Sequence, residues 1–411
     1  MLKQNIKVYL LFIIGLCFAG MSFFLQVLPV NTADHFTHTL GLTTANVINL
    51  ASFYLLTYAI MQIPVGIIFD KYGIKWVLPI GLFFTALGSL FYLIGSNSVL
   101  IILGRALTGL GCSVGYISGI FIAVKYFPAK HLVIYVSLVE GISTLGAIIA
   151  TTTFNNLLIN FGWNIANAMI VIFCLVLLIF SLFFSRGLIY QSSATSSLKT
   201  SLNQAISLLK NKRLLAVFIY SFCAWLIMMS FAGYWLKYYM IHMHKYNVDQ
   251  ALHLASLYWI AFFVTNVIIG FFVNTLNRCK IGLFVLSLMS LITYCYMAIP
   301  VLFSYVQLSV VAILGGVTTT GVIVAFSIIP KFVSKELTGT ALAVNNTFII
   351  IGGYVGQVLF GKILDKVHFL KNYPIFTLRN IQQDYYLTVL MYPFFALVGF
   401  IVVVYAIRKI R

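Results

Sequence analysis

Apolar runs of roughly 20 residues recur along the whole chain, separated by short polar breaks, and this feature constrains the fold more than any other. A helix of that length rises about 30 Å, the thickness of the hydrocarbon core of a bilayer. Barrel strands would be about ten residues long and would alternate apolar with polar positions, so a β-barrel is excluded. With two to four residues of latitude at each end, twelve spans fall at 8–30, 46–68, 77–95, 98–124, 132–158, 164–185, 214–240, 251–273, 281–299, 302–329, 337–361 and 384–407. The chain is 62% hydrophobic and only 8% charged. A soluble domain carries about 25% charged residues, so this one cannot clothe itself for water. The expected fold class is an all-α membrane protein of twelve transmembrane helices. The first run is too long for a cleaved leader and has no small-residue cleavage site before Pro29, so it is expected to be retained.

Lys and Arg number 25 against 7 Asp and Glu, a formal net charge of +18. In a soluble chain that balance would suggest a nucleic-acid partner, but here the basic residues sit in the breaks between spans. One side of the spans collects eighteen of them and the other six, with Arg105 alone inside a span. The excess marks the cytoplasmic side, and both termini are expected there, with no nucleic acid bound. The six cysteines form no CxxC pair, which implies neither a disulfide framework nor a metal site. No G-K-[ST] phosphate loop appears, so ATP hydrolysis is not the energy source, and neither catalysis nor a cofactor is expected.

The longest cytoplasmic break, 186–213, contains Gln191-Ser-Ser-Ala-Thr-Ser-Ser, a polar linker between six-span halves at 1–185 and 214–411. Equal halves suggest an internal repeat. Gly66-x-x-x-Asp70 at the end of span 2 recurs as Gly270-x-x-x-Asn274 at the end of span 8. Glu140 precedes Gly146 by six residues in span 5, as Asn346 precedes Gly352 in span 11.

The loop after span 2, Gly66-Ile-Ile-Phe-Asp70-Lys71-Tyr-Gly73-Ile-Lys75, resembles the signature of the major facilitator superfamily, G-x-x-x-D-[RK]-x-G-[RK]-[RK], with Ile74 at one basic position. Gly104-Arg105-Ala-Leu-Thr-Gly109-Leu-Gly111 is similar to the family's span 4 signature, and Gly162-Trp163-Asn164 to its G-W-R-x element without the Arg. The antiporter signature of span 5, G-x-x-x-G-P-x-x-G-G, is poorly matched, because Gly146-Ala147 replaces Gly-Pro and Ala150-Thr151 the last Gly pair. That departure favours import over drug efflux. The resemblance implies two six-helix bundles rocking around a central cavity, in a monomeric secondary transporter of a bacterial inner membrane. Tyr54-Leu-Leu-Thr-Tyr58-Ala-Ile-Met-Gln62-Ile-Pro64 resembles the branch that includes phagosomal nutrient transporters of intracellular pathogens. This implies proton-coupled uptake of a small polar metabolite such as an amino acid. A siderophore, organic-anion or drug exporter and a non-transporting membrane sensor are the alternatives.

Two charged residues lie deep in spans. An Arg at the bilayer centre costs about 2.5–3.5 kcal/mol, so Arg105 is expected to face a cavity or a partner. Two readings stand: a guanidinium fork for a substrate carboxylate or phosphate, or a structural Arg bonded to backbone carbonyls. Glu140 is the acid expected deep in a span, while Lys237 and Asp384 are assigned to outer breaks. A carboxylate held away from bulk water can exchange a coupling proton, hold a substrate ammonium, or serve structure alone. Polar residues within spans complete the candidate pathway: Gln26, Tyr58, Tyr116, Trp225, Tyr258, Asn266, Thr318, Thr319, Asn345 and Asn346. For any one of these, helix-to-helix hydrogen bonding is the competing role. Trp76, Trp163 and Trp235 near span ends are expected to anchor at the interface, and His242, His244 and His253 to be surface histidines.

The resemblance makes Gly66, Asp70, Lys71, Gly73 and Lys75 a conformational latch, with Asp70 looking across to Leu337-Thr338-Gly339 at the start of span 11. A carboxylate there would also meet the partial positive charge of a helix N-terminus. Asp70→Asn is expected to slow transport while leaving membrane insertion intact. Turnover equal to wild type, in a variant expressed to the same level, would remove the latch.

Overall fold

The computed structural model describes residues 2–128, 132–186, 198–273, 275–299, 301–369 and 381–408. Among them the chain is helical throughout, without strands. The polar stretch 191–197, Asn274 and the side chain of Asp70 lie outside the described residues. The helices are α1 (Leu2–Val27), α2 (Pro29–Leu40), α3 (Thr44–Ala51), α4 (Phe53–Tyr72), α5 (Ile74–Ile94), α6 (Ser98–Tyr126), α7 (Leu132–Thr151), α8 (Thr153–Ser185) and α9 (Leu198–Leu209). There follow α10 (Lys212–Ser230), a π turn (Phe231–Trp235), α11 (Leu236–His244), α12 (Val248–Phe272), α13 (Leu276–Met297), α14 (Tyr305–Thr319) and α15 (Gly321–Ile328). After a 3₁₀ turn come α16 (Lys335–Phe369), α17 (Ile381–Val389) and α18 (Met391–Arg408).

Eleven stretches among the described residues are long and apolar enough to cross a bilayer, and they coincide with eleven of the twelve expected spans. Span 5 corresponds to α7, Leu132–Thr151. Several expected spans are two helices rather than one. Span 2 breaks at Ser52, span 10 at Thr320, and span 7 passes through the π turn. Part of the expected linker is helical, since α9 forms at Leu198–Leu209 and buries Ala205 and Leu208.

The chain divides into two compact units, Met1–Leu42 with Leu50–Leu202, and Thr43–Asn49 with Asn203–Arg411. In the first unit α1 packs on α6 and α7, α4 on α6, and α5 on α6 and α8. In the second unit α10 packs on α16 and α18, α12 on α14, and α13 on α14 and α18. Four pairings correspond, α1–α7 with α10–α16, α4–α6 with α12–α14, α5–α6 with α13–α14 and α5–α8 with α13–α18, as an internal repeat would give.

Glycines show the correspondence at atomic scale. A Cβ added to Gly146 on α7 would overlap the carbonyl of Gly20 on α1, and one on Gly352 of α16 would overlap the carbonyl of Phe222 on α10. Gly109 on α6 meets the Tyr54 carbonyl of α4 in the same way, and Gly316 on α14 meets the Tyr258 carbonyl of α12. Helices in lipid gain nothing from burying apolar surface against one another, so close backbone approach at small residues supplies the dispersion that joins them. The equivalence of Gly146 with Gly352 makes Glu140 and Asn346 counterparts as well.

Gly73 joins α4 to α5 with φ of 68°, a left-handed conformation that glycine adopts without strain, and this accounts for the second Gly of the signature loop. Apolar side chains unprotected by the chain concentrate on α8, where only 28% of the apolar window is buried against 78% for Lys212–His244. The first is a lipid-facing helix and the second a central one. Trp76 is exposed, as an interfacial anchor should be. Trp235 is not an anchor: it is fully buried, stacks on Phe360 at 4.6 Å and donates from Nε1 to the Gln357 carbonyl at 3.3 Å. The π turn carries it into the core, which hydropathy alone does not reveal.

Gly146→Val and Gly352→Val are each expected to destabilise the protein by about 1–3 kcal/mol or more, because backbone must move to admit the side chain. Gly66→Ala, with open space around it, should leave the thermal midpoint unchanged or raise it slightly. Melting of the purified variants in detergent checks both.

Candidate functional site

In the first unit the site begins with two carbonyls that helix breaks set free. α1 ends at Val27, and the residue four beyond Leu25 is Pro29, which has no N–H to offer the Leu25 carbonyl. The interruption at Ser52 likewise releases the Ala51 carbonyl, because Leu55 and Leu56 both donate to Ser52 instead. Arg105 of α6 answers both: Nη1 donates to the Leu25 carbonyl at 2.7 Å and Nε to the Ala51 carbonyl at 3.0 Å. Its guanidinium lies 4.7 Å from the ring centre of Tyr54 and 5.5 Å from that of Tyr92, and the residue is 1% exposed. Two edges of the fork are therefore occupied by main chain, which leaves Nη2 alone without a hydrogen-bond partner.

Tyr54 continues the arrangement. Its hydroxyl donates to the Ser22 carbonyl at 2.8 Å, and its ring stacks on Tyr58 at 5.8 Å. Tyr58 is within interaction range of Gln62 and Glu140. Glu140 on α7 is half-buried, and its Oε2 accepts from the Tyr116 hydroxyl of α6 at 2.8 Å. Thr144, one turn on, donates to the Glu140 carbonyl at 3.0 Å. The structure thus brings Tyr58, Tyr116 and Glu140 together, and links them to Arg105 through Tyr54 rather than by direct contact. Gln26 is buried on α1. Of the signature loop, Lys71 lies 5.2 Å from the Tyr72 ring and Lys75 lies 5.4 Å from that of Trp76, while Gly66 has open space around it.

In the second unit the Tyr258 hydroxyl meets Thr319 Oγ1 at 2.7 Å and the Tyr294 hydroxyl at 3.2 Å. Thr318 and Thr319 both donate to the Gly315 carbonyl, at 3.0 and 2.9 Å. Trp225 packs edge-on to Phe262 at 6.0 Å. Both amide atoms of Asn266 and both of Asn345 are buried without a hydrogen-bond partner. Asn346, beside Asn345, is half-buried. Orphaned amides in a dry core cost about 1–3 kcal/mol each, so they mark places built to meet a ligand or water.

Sequence reasoning missed Tyr294, Ser230 and Tyr392, the last two joined at 3.0 Å. Tyrosines in an aromatic-rich chain carry no motif that would single them out. Lys237 and Asp384, assigned above to outer breaks, are instead buried, at 2% and 0% exposure. They sit on α11 and α17, which pack together at the ends of the apolar stretches Lys212–His244 and Gln383–Arg408, where hydropathy is least informative. Of the three histidines, His253 is exposed and its Nδ1 meets the Tyr305 hydroxyl at 2.6 Å. His244 is half-buried against Tyr239, with both ring nitrogens shielded from solvent. In α2, burial and the nearby charge of His38 hold His35 below the ordinary imidazole range, and its ring lies flat on Trp163 at 3.7 Å. No group of three metal-ligating side chains occurs among the described residues.

The fold has close solved counterparts. The nucleoside transporter NupG superposes with a TM-score of 0.72 over 98% of this chain and 100% of that one, at 17% sequence identity. A bacterial homologue of the human lysosomal transporter Spinster gives 0.73 over 99% and 97%, at 12% identity. An uncharacterised transporter of Buchnera aphidicola is 24% identical over 76% of this chain and 79% of its own length. The MFS-type transporter phomT of Diaporthe leptostromiformis is 34% identical over 99 residues, which are 24% of this chain and only 16% of that protein. The profile of the Major Facilitator Superfamily matches residues 10–357, and the chain is accordingly a multi-pass membrane transporter that belongs to that superfamily.

Proposed function

We propose that this transporter couples proton entry to the import of a small polar metabolite, an amino acid in the first instance, by alternating access. The observation that carries the reading is Glu140, an acid within a span whose carboxylate is fixed by the Tyr116 hydroxyl beside Tyr58. A carboxylate so placed can accept a proton from one face of the membrane and release it to the other. The unpartnered amides of Asn266 and Asn345 supply donors and acceptors for a polar substrate in the second unit. Arg105, with two of its nitrogens on main-chain carbonyls, holds the end of α1 and the break before α4 against α6. One proton crossing about 100 mV releases roughly 2.3 kcal/mol, enough for about 50-fold accumulation of a neutral solute.

On this reading residues 1–185 and 214–411 are the two bundles, 186–213 is a cytoplasmic linker, and both termini face the cytoplasm of a bacterium. The Asp70 loop latches the two bundles on the cytoplasmic side, and the chain falls in the branch that includes the phagosomal nutrient transporters. A second reading, efflux, is favoured by short matches to proteins such as the efflux pump aflT of Aspergillus parasiticus, 30% identical over 99 residues and 19% of its length. The direction of uptake into proteoliposomes of defined orientation separates the two.

Glu140→Gln mimics the protonated acid, and it is expected to abolish accumulation driven by a pH gradient while sparing counterflow exchange, which moves no net proton. Loss of both assays together would indicate that Glu140 holds a substrate ammonium. Wild-type accumulation would eliminate both roles. Tyr116→Phe removes a hydrogen bond to a charged acceptor and should displace the pH dependence of uptake, with a rate change of about tenfold.

A further inference from the structure

We propose that a small cavity behind Arg105, within the first unit, is a binding site for a monovalent inorganic anion of halide size, chloride in ordinary media. The cavity is lined by Arg105 and Thr108 of α6, Ser89 and Tyr92 of α5, Asn167 and Ile170 of α8, and Leu28.

The argument starts from charge. A guanidinium remains protonated in proteins, and a buried charge is expensive unless an opposite charge compensates it. The contacts of Arg105 are two carbonyls and two aromatic rings, which contribute dipoles and quadrupoles but no net negative charge. Glu140, the acid of α7, is engaged by Tyr116 instead. Geometry supplies the second step. Arg105 lines the cavity, and its Nη2 is buried without a hydrogen-bond partner. Ser89, which lines the same cavity, has its Oγ buried with the thiol of Cys174, a weak partner, as its neighbour. The other polar groups of the wall are committed: Thr108 donates to the Gly104 carbonyl at 2.6 Å, Asn167 to the Trp163 carbonyl at 2.9 Å, and the Tyr92 hydroxyl pairs with Thr32 at 2.7 Å. An unpartnered guanidinium nitrogen and a hydroxyl with only a weak thiol partner therefore belong to residues that line one space.

Size limits the ligand class. The free space is on the scale of one water-sized body, to which a single-atom halide comes nearest among anions and which a carboxylate or phosphate exceeds. A water molecule would satisfy the donors but leave the charge of Arg105 uncompensated. The site is independent of the transported solute, since it uses neither Glu140 nor the second unit.

The test uses the purified full chain in detergent, exchanged into gluconate and titrated with chloride at constant ionic strength. The melting midpoint is expected to rise and saturate, because a ligand that binds the folded state alone stabilises it. Bromide should substitute for chloride, and acetate and phosphate should not. Ser89→Ala should raise the chloride concentration of half-effect by about tenfold, whereas Ser309→Ala, the same change in the second unit, should not move it. Ser89→Val, which fills the space, should abolish the response while the protein still melts cooperatively. A midpoint identical in chloride and gluconate would show that the cavity holds water and would overturn the proposal. It would equally be overturned by a chloride response that Ser89→Ala leaves unaltered, or by an acetate response equal to that of chloride. These serine variants keep the test decisive even if substitutions of Arg105 prevent folding.

Discussion

A carbonyl released inside hydrocarbon has no water to turn to, and that constraint organises the first unit. Pro29 and the break at Ser52 strip the Leu25 and Ala51 carbonyls of their helical donors, and one guanidinium restores both bonds. Because those carbonyls lie at the end of α1 and at the break before α4, Arg105 fixes both points relative to α6. Tyr54 lies against the guanidinium and bonds Ser22, so its position follows from that of Arg105. Tyr58 stacks on Tyr54, and the acid at Glu140 lies beyond it. A single charge thus settles the helix ends and, through two tyrosines, the surroundings of the one acid placed within a span of this unit.

How much of this the sequence discloses depends on whether the cause is periodic or local. The apolar runs locate the helices because length and continuity are properties of a stretch, and eleven spans coincide with helices on that ground alone. Gly73 and Glu140 were also legible, the first by its place in a signature loop and the second because an acid within a span has few explanations. For Arg105 a structural role on backbone carbonyls was one of the two readings, but which carbonyls was not legible: a proline announces a freed carbonyl but not the donor that will reach it. Lys237, Asp384 and Trp235 were misplaced for a related reason. Near the end of a span, a charged or indole side chain lies at the interface or in a protein-filled cap, and hydropathy gives both the same value. The fold buries all three.

The two units share their close contacts but not their charges. Gly146 and Gly352 press on the first helix of their own unit, and Gly109 and Gly316 press on the carbonyls of Tyr54 and Tyr258. Counting four residues back from each of the latter glycines, Arg105 corresponds to Ala312, which is buried. Six residues back from Gly146 and Gly352, Glu140 corresponds to Asn346. At both positions the second unit is neutral where the first is charged. Since the glycine contacts are common to both, the backbone framework does not require either charge. Arg105 is needed where it is because of the breaks at Pro29 and Ser52. No comparable break explains Glu140, whose helix α7 runs unbroken from Leu132 to Thr151. An acid that the framework does not demand, and whose counterpart is an amide, is the residue to which a coupling role is most economically assigned.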